Sequence, residues 1–192
     1  MPRLFIAVKL DAAIQEQLAK IQTELQRFDL GVRWVLPENI HLTLRFLGAV
    51  DEKTIPDLLE ILKAVSRKHK SGRMGLKTIG AFPTDQHPRV IWIGVEEKTG
   101  ELRQIYLELE NALSGVGFEK DDHSFSPHIT LGRVKSPKNI ESLKQYLRDQ
   151  KNITIGSQPA AGITLFRSDL KPSGPVYHEE ANFQFQSRQD GN

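Results

Sequence analysis

Apolar and polar positions alternate with two different periods along this chain, and the switches between them outline its elements. Arg3–Lys9, His41–Leu47, Gly75–Phe82, Arg89–Val95, His128–Val134, Gly162–Phe166 and Val176–Phe185 carry β-branched and aromatic residues or strict alternation, which predicts strands. Between them the period lengthens to that of a helix. Ile14, Leu18, Ile21, Leu25 and Phe28 fall on one stripe, with Asp11 as the expected N-cap and Gly31 beyond the end. Leu102, Ile105, Tyr106, Leu109 and Leu113 form a second stripe closed by Gly115. Two more helices fit Thr54–Lys70, with Pro56 in the first turn, and Pro137–Gln150.

These elements repeat. The tetrads His41-Leu42-Thr43-Leu44 and His128-Ile129-Thr130-Leu131 begin at positions 41 and 128, an offset of 87. At that offset Phe5-Ile6-Ala7-Val8 falls on Trp92-Ile93-Gly94-Val95, and Gly75-Leu76 falls on Gly162-Ile163. The first helix falls on the third within about a residue. The pattern predicts a duplicated strand–helix–strand–helix–strand unit, with copies near residues 1–87 and 88–192 of a single domain. Copies related in this way pack about a pseudo-twofold axis, which turns the two His-x-Thr strands toward a shared cleft.

Within each tetrad, residues two apart lie roughly 6.6 Å apart on one face of a strand. His41 and Thr43 therefore point the same way, as do His128 and Thr130. Two imidazoles across a cleft supply a base for the attacking oxygen and an acid for the leaving oxygen of a phosphodiester, because the free ring titrates near pH 6.5. The threonine hydroxyls can donate to phosphate oxygens where charge develops. One such tetrad alone would read as an ordinary half-buried strand; two at the spacing of the repeat read as a catalytic pair.

Composition narrows the chemistry further. The chain of 192 residues has no cysteine, so disulfides, thiol nucleophiles and thiolate metal sites are excluded. Neither tetrad offers a second metal ligand at the usual spacing, and no Gly-x-Ser-x-Gly elbow occurs. With 26 Lys plus Arg against 24 Asp plus Glu the net charge is only +2, so any polyanion site must be local. No apolar run is long enough to span a membrane, and the amino terminus does not read as a signal peptide; the expectation is a cytoplasmic protein.

Candidate cations for a phosphate are Arg45, which shares strand parity with His41 and Thr43 and is otherwise a solvated edge residue, and Arg89, which opens an apolar strand and either reaches the cleft or marks the strand's wet end. Arg133 has the opposite parity to His128, unless a bulge at Gly132 turns it inward. Phe5, Trp34, Phe82, Trp92 and Tyr177 are either base-stacking platforms or core. His69 and His87 read as solvated surface residues, His123 as a loop residue, and His178 receives no role.

The paired tetrads resemble those of the two-histidine phosphoesterases. So do Arg3-Leu4-Phe5-Ile6-Ala7, Arg45-Phe46-Leu47-Gly48, Pro88-Arg89-Val90-Ile91-Trp92 and Ser126-Pro127. The nearest likeness is to the RNA 2′,3′-cyclic phosphodiesterases, the LigT-like or 2′-5′ RNA ligase group. The resemblance implies a bilobal α+β fold, with two antiparallel sheets lining a central groove and helices outside. It implies hydrolysis of a 2′,3′-cyclic phosphate to a 2′-phosphomonoester without metal or other cofactor. His41 would be the proton donor and His128 the proton acceptor, Thr43 and Thr130 would hold the phosphate, and Arg133 would contact it. Arg45, Arg89 and Phe5 complete the expected substrate contacts. The expected partner is RNA or a nucleotide with a cyclic phosphate end, met by a monomer away from membranes. Two alternatives stay open: a ligase joining that end to a 5′-hydroxyl, and a non-catalytic module that only binds RNA ends.

Overall fold

The computed structural model describes residues 1–187 except His123, Pro137 and Ser173. Along the chain run β1 (Arg3–Lys9), α1 (Ala12–Gln26), β2 (Val32–Trp34), β3 (His41–Ala49), α2 (Ile55–Lys68), β4 (Gly72–Thr84) and β5 (His87–Glu97). They are followed by α3 (Glu101–Ser114), β6 (His128–Val134), α4 (Ile140–Asp149), β7 (Thr154–Ala160), β8 (Gly162–Lys171) and β9 (Gly174–Gln184). The fold is α+β, with a curled antiparallel sheet in half-barrel form and four helices packed on it.

The strand order β7-β4-β5-β6-β3-β1-β8-β9, with β2 added to β6, divides into two matching halves. The two sheets that the resemblance implies are halves of one continuous sheet, and they join where β3 meets β6 through the register pair Leu42↔Ile129. Equivalent strands sit at equal distances from that seam: β3 with β6, β1 with β5, β8 with β4. The third strand of each copy therefore completes the other copy's half. β4 pairs with β5 from Met74↔Glu97 to Thr84↔His87, because a tight turn at Asp85-Gln86 folds the chain straight back. β8 pairs with β1 from Leu4↔Arg167 to Ala7↔Thr164.

Helix stripes bury what their periodicity predicts. Ile14, Leu18, Ile21 and Leu25 of α1, Leu58, Leu62 and Val65 of α2, and Leu102, Ile105, Leu109 and Leu113 of α3 are buried. They meet Leu42, Leu44, Ile91, Ile93, Ile129 and Leu131 in one core. Ends differ in detail. Asp11 occupies the N-cap position of α1 without a side-chain capping bond, and its backbone N–H instead donates to the Gln158 amide oxygen at 2.9 Å. Phe28 lies past the last turn and is exposed. The start expected for α4 at Pro137 lies outside the described residues, and the helix begins at Ile140.

His69 corrects an expectation of solvation. It is only 4% exposed, with Nδ1 2.7 Å from Glu101 and Nε2 3.3 Å from Glu108, so it ties the end of α2 to α3. Position at a helix end gave no hint of the two carboxylates that α3 brings over it. His87 is exposed as expected, and His178 is an exposed residue 3.2 Å from Asp169. His123 lies outside the described residues. Among the described residues, no helix is long and apolar enough to cross a membrane.

Candidate active site

The seam between the half sheets fixes the tetrads relative to one another. Leu42 and Ile129 are opposite each other and fully buried, so their side chains point into the core beneath the helices. Their neighbours then point to the groove face, with His41 across from Thr130 and Thr43 across from His128. The array is two by two. Its histidines lie on a diagonal, which for adjacent antiparallel strands means Cβ atoms roughly 7–8 Å apart or somewhat less.

Both rings are held by the same device. His41 Nδ1 lies 2.7 Å from the carbonyl of Asn39, and His128 Nδ1 lies 2.7 Å from the carbonyl of Ser126, in each case two residues upstream. A carbonyl only accepts, so each Nδ1 donates and each Nε2 is left free for a ligand. Asn39 is itself anchored, its side-chain amide donating to Pro175 O at 3.0 Å.

The surroundings of the rings differ. Phe5 stacks on His41 with centroids 4.8 Å apart, Tyr177 meets it edge-on at 5.5 Å, and Phe166 lies 6.2 Å away. Burial in this aromatic box withholds water from the imidazolium and pushes the His41 pKa down to about 4; the bond to Asn39 opposes that shift. Among the described residues, the one aromatic ring that meets His128 is Phe82, edge-on at 4.9 Å.

A pocket of about 340 Å³ opens over the seam. His41, Thr43, Thr130 and Arg133 line it, together with Arg33, Trp34, Phe46, Lys135 and Tyr177. His128 is not in the wall of this pocket; the register sets it beside Thr43, one strand step beyond Thr130.

Arg133 reaches the pocket because β6 bulges. Trp92 pairs with Thr130, but the next residue of β5, Ile91, pairs with Gly132, so Leu131 is the extra residue. The bulge lies one step earlier than Gly132, and it reverses the parity of everything after it. Two groups stabilise it through three hydrogen bonds. Val35 N–H donates to Leu131 O at 2.9 Å, and the buried Gln22 amide donates to Leu131 O and to Val35 O at 2.8 Å each. Gly132 is required for a different reason: a Cβ there would stand 2.6 Å from Val32 and 2.9 Å from Trp34 on the adjoining β2.

The same geometry overturns the reading of Arg45. β3 bulges at Leu44, since Ala7 pairs with Thr43 and Ile6 with Arg45. Parity is lost there too, and Arg45 leaves the groove face. Its Nε lies 2.6 Å from Glu110 of α3, its Nη1 3.6 Å from Asp121, and its Nη2 donates to Glu119 O. Phe46, 87 positions before Arg133, takes the pocket position instead.

Arg89 shares parity with the fully buried Ile91 and Ile93, is exposed, and lines no part of this pocket. Phe5 is 2% exposed beneath His41, so it orients the ring and cannot stack a base. Of the other aromatics named from the sequence, Trp34 and Tyr177 line the pocket, whereas Trp92 packs on Phe82. Arg33, Lys135, Gln22 and Phe166 were not legible as site residues. Arg33 sits on a three-residue strand with no pattern of its own, and Gln22 differs from its helical neighbours only in being polar on an apolar stripe.

Comparison with known proteins agrees with this architecture. The chain is 33% identical over 183 residues to the RNA 2′,3′-cyclic phosphodiesterase of Methanothermobacter thermautotrophicus, covering 95% of this chain and 98% of that one. It is 37% identical over 185 residues to the protein of the same name from Thermotoga maritima, covering 96% of each. A crystal structure from Thermus thermophilus superposes with a TM-score of 0.83 at 31% identity, over 97% of this chain and 99% of that chain. Escherichia coli LigT complexed with 3′-AMP superposes with a TM-score of 0.75 at 25% identity, over 96% and 98%. The sequence model described as LigT like Phosphoesterase matches twice, at residues 8–92 and 93–177. With both matches spanning most of its length, the chain belongs to the LigT-like phosphoesterase family.

Proposed function

We propose that this protein hydrolyses RNA 2′,3′-cyclic phosphate ends to 2′-phosphomonoesters by acid–base catalysis that needs no metal. The observation that carries the reading is the diagonal pair of histidines on adjacent strands, each with Nδ1 committed to a carbonyl and Nε2 free. The names of the Methanothermobacter and Thermotoga relatives support the substrate class.

In this mechanism His128 takes a proton from water as the water oxygen forms its bond to phosphorus. The bond from phosphorus to the 3′ oxygen breaks, and His41 delivers a proton to that oxygen. Thr43 and Thr130 donate to the non-bridging oxygens, and Arg133 stabilises their negative charge. The burial of His41 sets a condition: the empty site holds it neutral, and the arriving phosphate anion is what favours its protonated form. We take the chain to act as a monomer in the cytoplasm. The exchange of third strands between the copies supports treating residues 1–192 as one unit, repeated near residue 87.

The test is an RNA oligonucleotide ending in a 2′,3′-cyclic phosphate, incubated with the protein in EDTA, with the phosphate position of the product determined. The expected product carries a 2′-phosphate. A 3′-phosphate, or turnover only on adding a divalent ion, would overturn the mechanism; joining to an added 5′-hydroxyl strand in place of hydrolysis would assign the ligase reaction.

A further inference from the structure

The pocket carries more positive charge than one cyclic phosphate requires. Arg33, Arg133 and Lys135 all line it, none has an ion-pair partner among the described residues, and no carboxylate is in its wall. A cyclic phosphodiester has a single negative charge, which Arg133 suffices to meet.

The arrangement of these cations is itself unfavourable without a ligand. β2 is laid on β6 in the register Arg33↔Arg133, so two guanidinium groups face the same side from directly opposed positions. Like charges so placed repel. Lys135 follows two residues after Arg133, fixed by its backbone N–H donating to Gly31 O at 2.9 Å. A position two residues on is roughly 6.6 Å further along a strand and on the same face. Arg33 extends across the mouth toward β9, where a Cβ at Gly174 would stand 3.2 Å from its Nη2.

Apolar side chains border the same mouth. Leu36, Phe46 and Leu170 line the pocket while remaining 51%, 60% and 71% exposed, three of the six large hydrophobic residues exposed on the described surface. Unpaired cations interleaved with exposed apolar surface suit a single-stranded nucleic acid, whose charged backbone alternates with flat bases.

From this we infer that Arg33 and Lys135 form a second phosphate site, which holds the phosphodiester preceding the cyclic end and makes an oligonucleotide terminus the preferred substrate over a cyclic mononucleotide. The inference rests on the proposed hydrolysis for its kinetic form, but its binding form stands alone.

Two measurements test it on the full chain. The first compares kcat/KM for a 2′,3′-cyclic mononucleotide with that for a tetranucleotide ending in the same cyclic nucleotide, in wild type, Arg33→Gln, Lys135→Gln and the double variant. Wild type is expected to favour the tetranucleotide about ten-fold or more, since each charged hydrogen bond contributes appreciably. The double variant is expected to bring the ratio close to one, and Arg33→Lys to retain part of it. The tetranucleotide should also show the steeper salt dependence, by about 0.7 in the logarithmic slope for each additional phosphate contact. The second measurement is the Kd of the corresponding 2′-phosphorylated mononucleotide and tetranucleotide. If neither cyclic compound turns over, the hydrolytic reading fails and these Kd values alone decide the second site. Equal wild-type preference for the two lengths, or a preference that survives the double substitution, would overturn it.

Discussion

The two tetrads share a spacing, a register and an anchoring hydrogen bond, yet among the described residues three aromatic rings meet one histidine and one ring meets the other. Among the described residues the rings of Phe5, Phe166 and Tyr177 surround His41, while Phe82 supplies the one aromatic contact of His128. The bulges differ in the same way. Each strand gains a residue within its tetrad, and the side chain so turned into the groove is Phe46 in one half and Arg133 in the other. Duplication thus supplies two equivalent donors of a ring nitrogen, and divergence at a few flanking positions makes them unequal. Acid–base catalysis needs that inequality, because one ring must lose a proton while the other gains one.

The largest effects should come from removing what the halves share. His41→Ala and His128→Ala are each expected to lower kcat/KM on a cyclic-ended RNA by about 10²–10⁴-fold. The double variant should be little worse than either single one, since groups acting as a unit are not additive. Full activity in either single variant would end the case for paired catalysis. Next in size is the position where the halves diverge. Arg133→Gln should cost about 10–10²-fold in kcat/KM, through loss of a charge-assisted contact to phosphate. Phe46→Gln, at the equivalent place in the other half, should cost far less. Equal losses would mean that the bulges do not distinguish the halves.

The order of these effects follows from features of unequal legibility. Strands β1, β3, β5 and β6 were legible because their alternation or apolar runs are strong, and the offset of 87 fixed the pairing of tetrads. β2 and β7 were not: Val32-Arg33-Trp34 is too short for a period, and Thr154-Ile155-Gly156-Ser157-Gln158-Pro159-Ala160 contains the polar and glycine residues of a loop. β7 exists because β4 offers it an edge, with pairs running from Gly72↔Ala160 to Lys77↔Thr154. Parity arguments held within the tetrads and failed just after Leu44. A bulge is written in the partner strand and in tertiary hydrogen bonds as much as in the strand itself. Gly132 gave a local sign of one on β6; no such residue marks Leu44, and parity there predicts the wrong face for Arg45. The partners of Arg45 and His69 come from α3 and the segment that follows it, far away in sequence, and no local pattern could have named them.

Gln22 offers a smaller and more specific perturbation of the bulge that sets Arg133. Its amide donates to Leu131 O and Val35 O, joining α1 to the extra residue of β6 and to the end of β2. In Gln22→Leu the buried Leu131 carbonyl and the half-buried Val35 carbonyl each lose a donor, although Leu131 O keeps Val35 N–H. A stability loss of about 1–3 kcal/mol is expected by thermal or urea unfolding. A structural role predicts nothing more. A positioning role also predicts a several-fold loss of kcat/KM that disappears when Arg133 is already replaced by Gln, which a double-mutant cycle resolves. Additive losses would show that Gln22 stabilises the fold without steering Arg133.

The smallest expected effect is a displacement along the pH axis, and it bears directly on why the halves differ. A bell-shaped kcat/KM falls on the acid side once both rings of the free enzyme carry protons, since no base then remains. His41 is held down to about 4 by burial, so the acid limb should lie near that value. In the complex the phosphate anion favours the imidazolium, and the acid limb of kcat should lie higher than that of kcat/KM. Phe5→Leu removes the stacked ring and admits water to His41, which should move the acid limb of kcat/KM upward toward the ordinary histidine range. Trp92→Leu, the matching change in the other half, should leave that limb in place. Folding must be followed over the same range by circular dichroism. With the folded-state pKa of His41 lowered from 6.5 to about 4, the unfolded chain binds the proton first, and stability declines as pH falls through that interval. An acid limb that stays put in Phe5→Leu while the protein remains folded would show that the aromatic box does not set the proton affinity of His41. The asymmetry between the tetrads would then have to arise from Arg133 and Phe46.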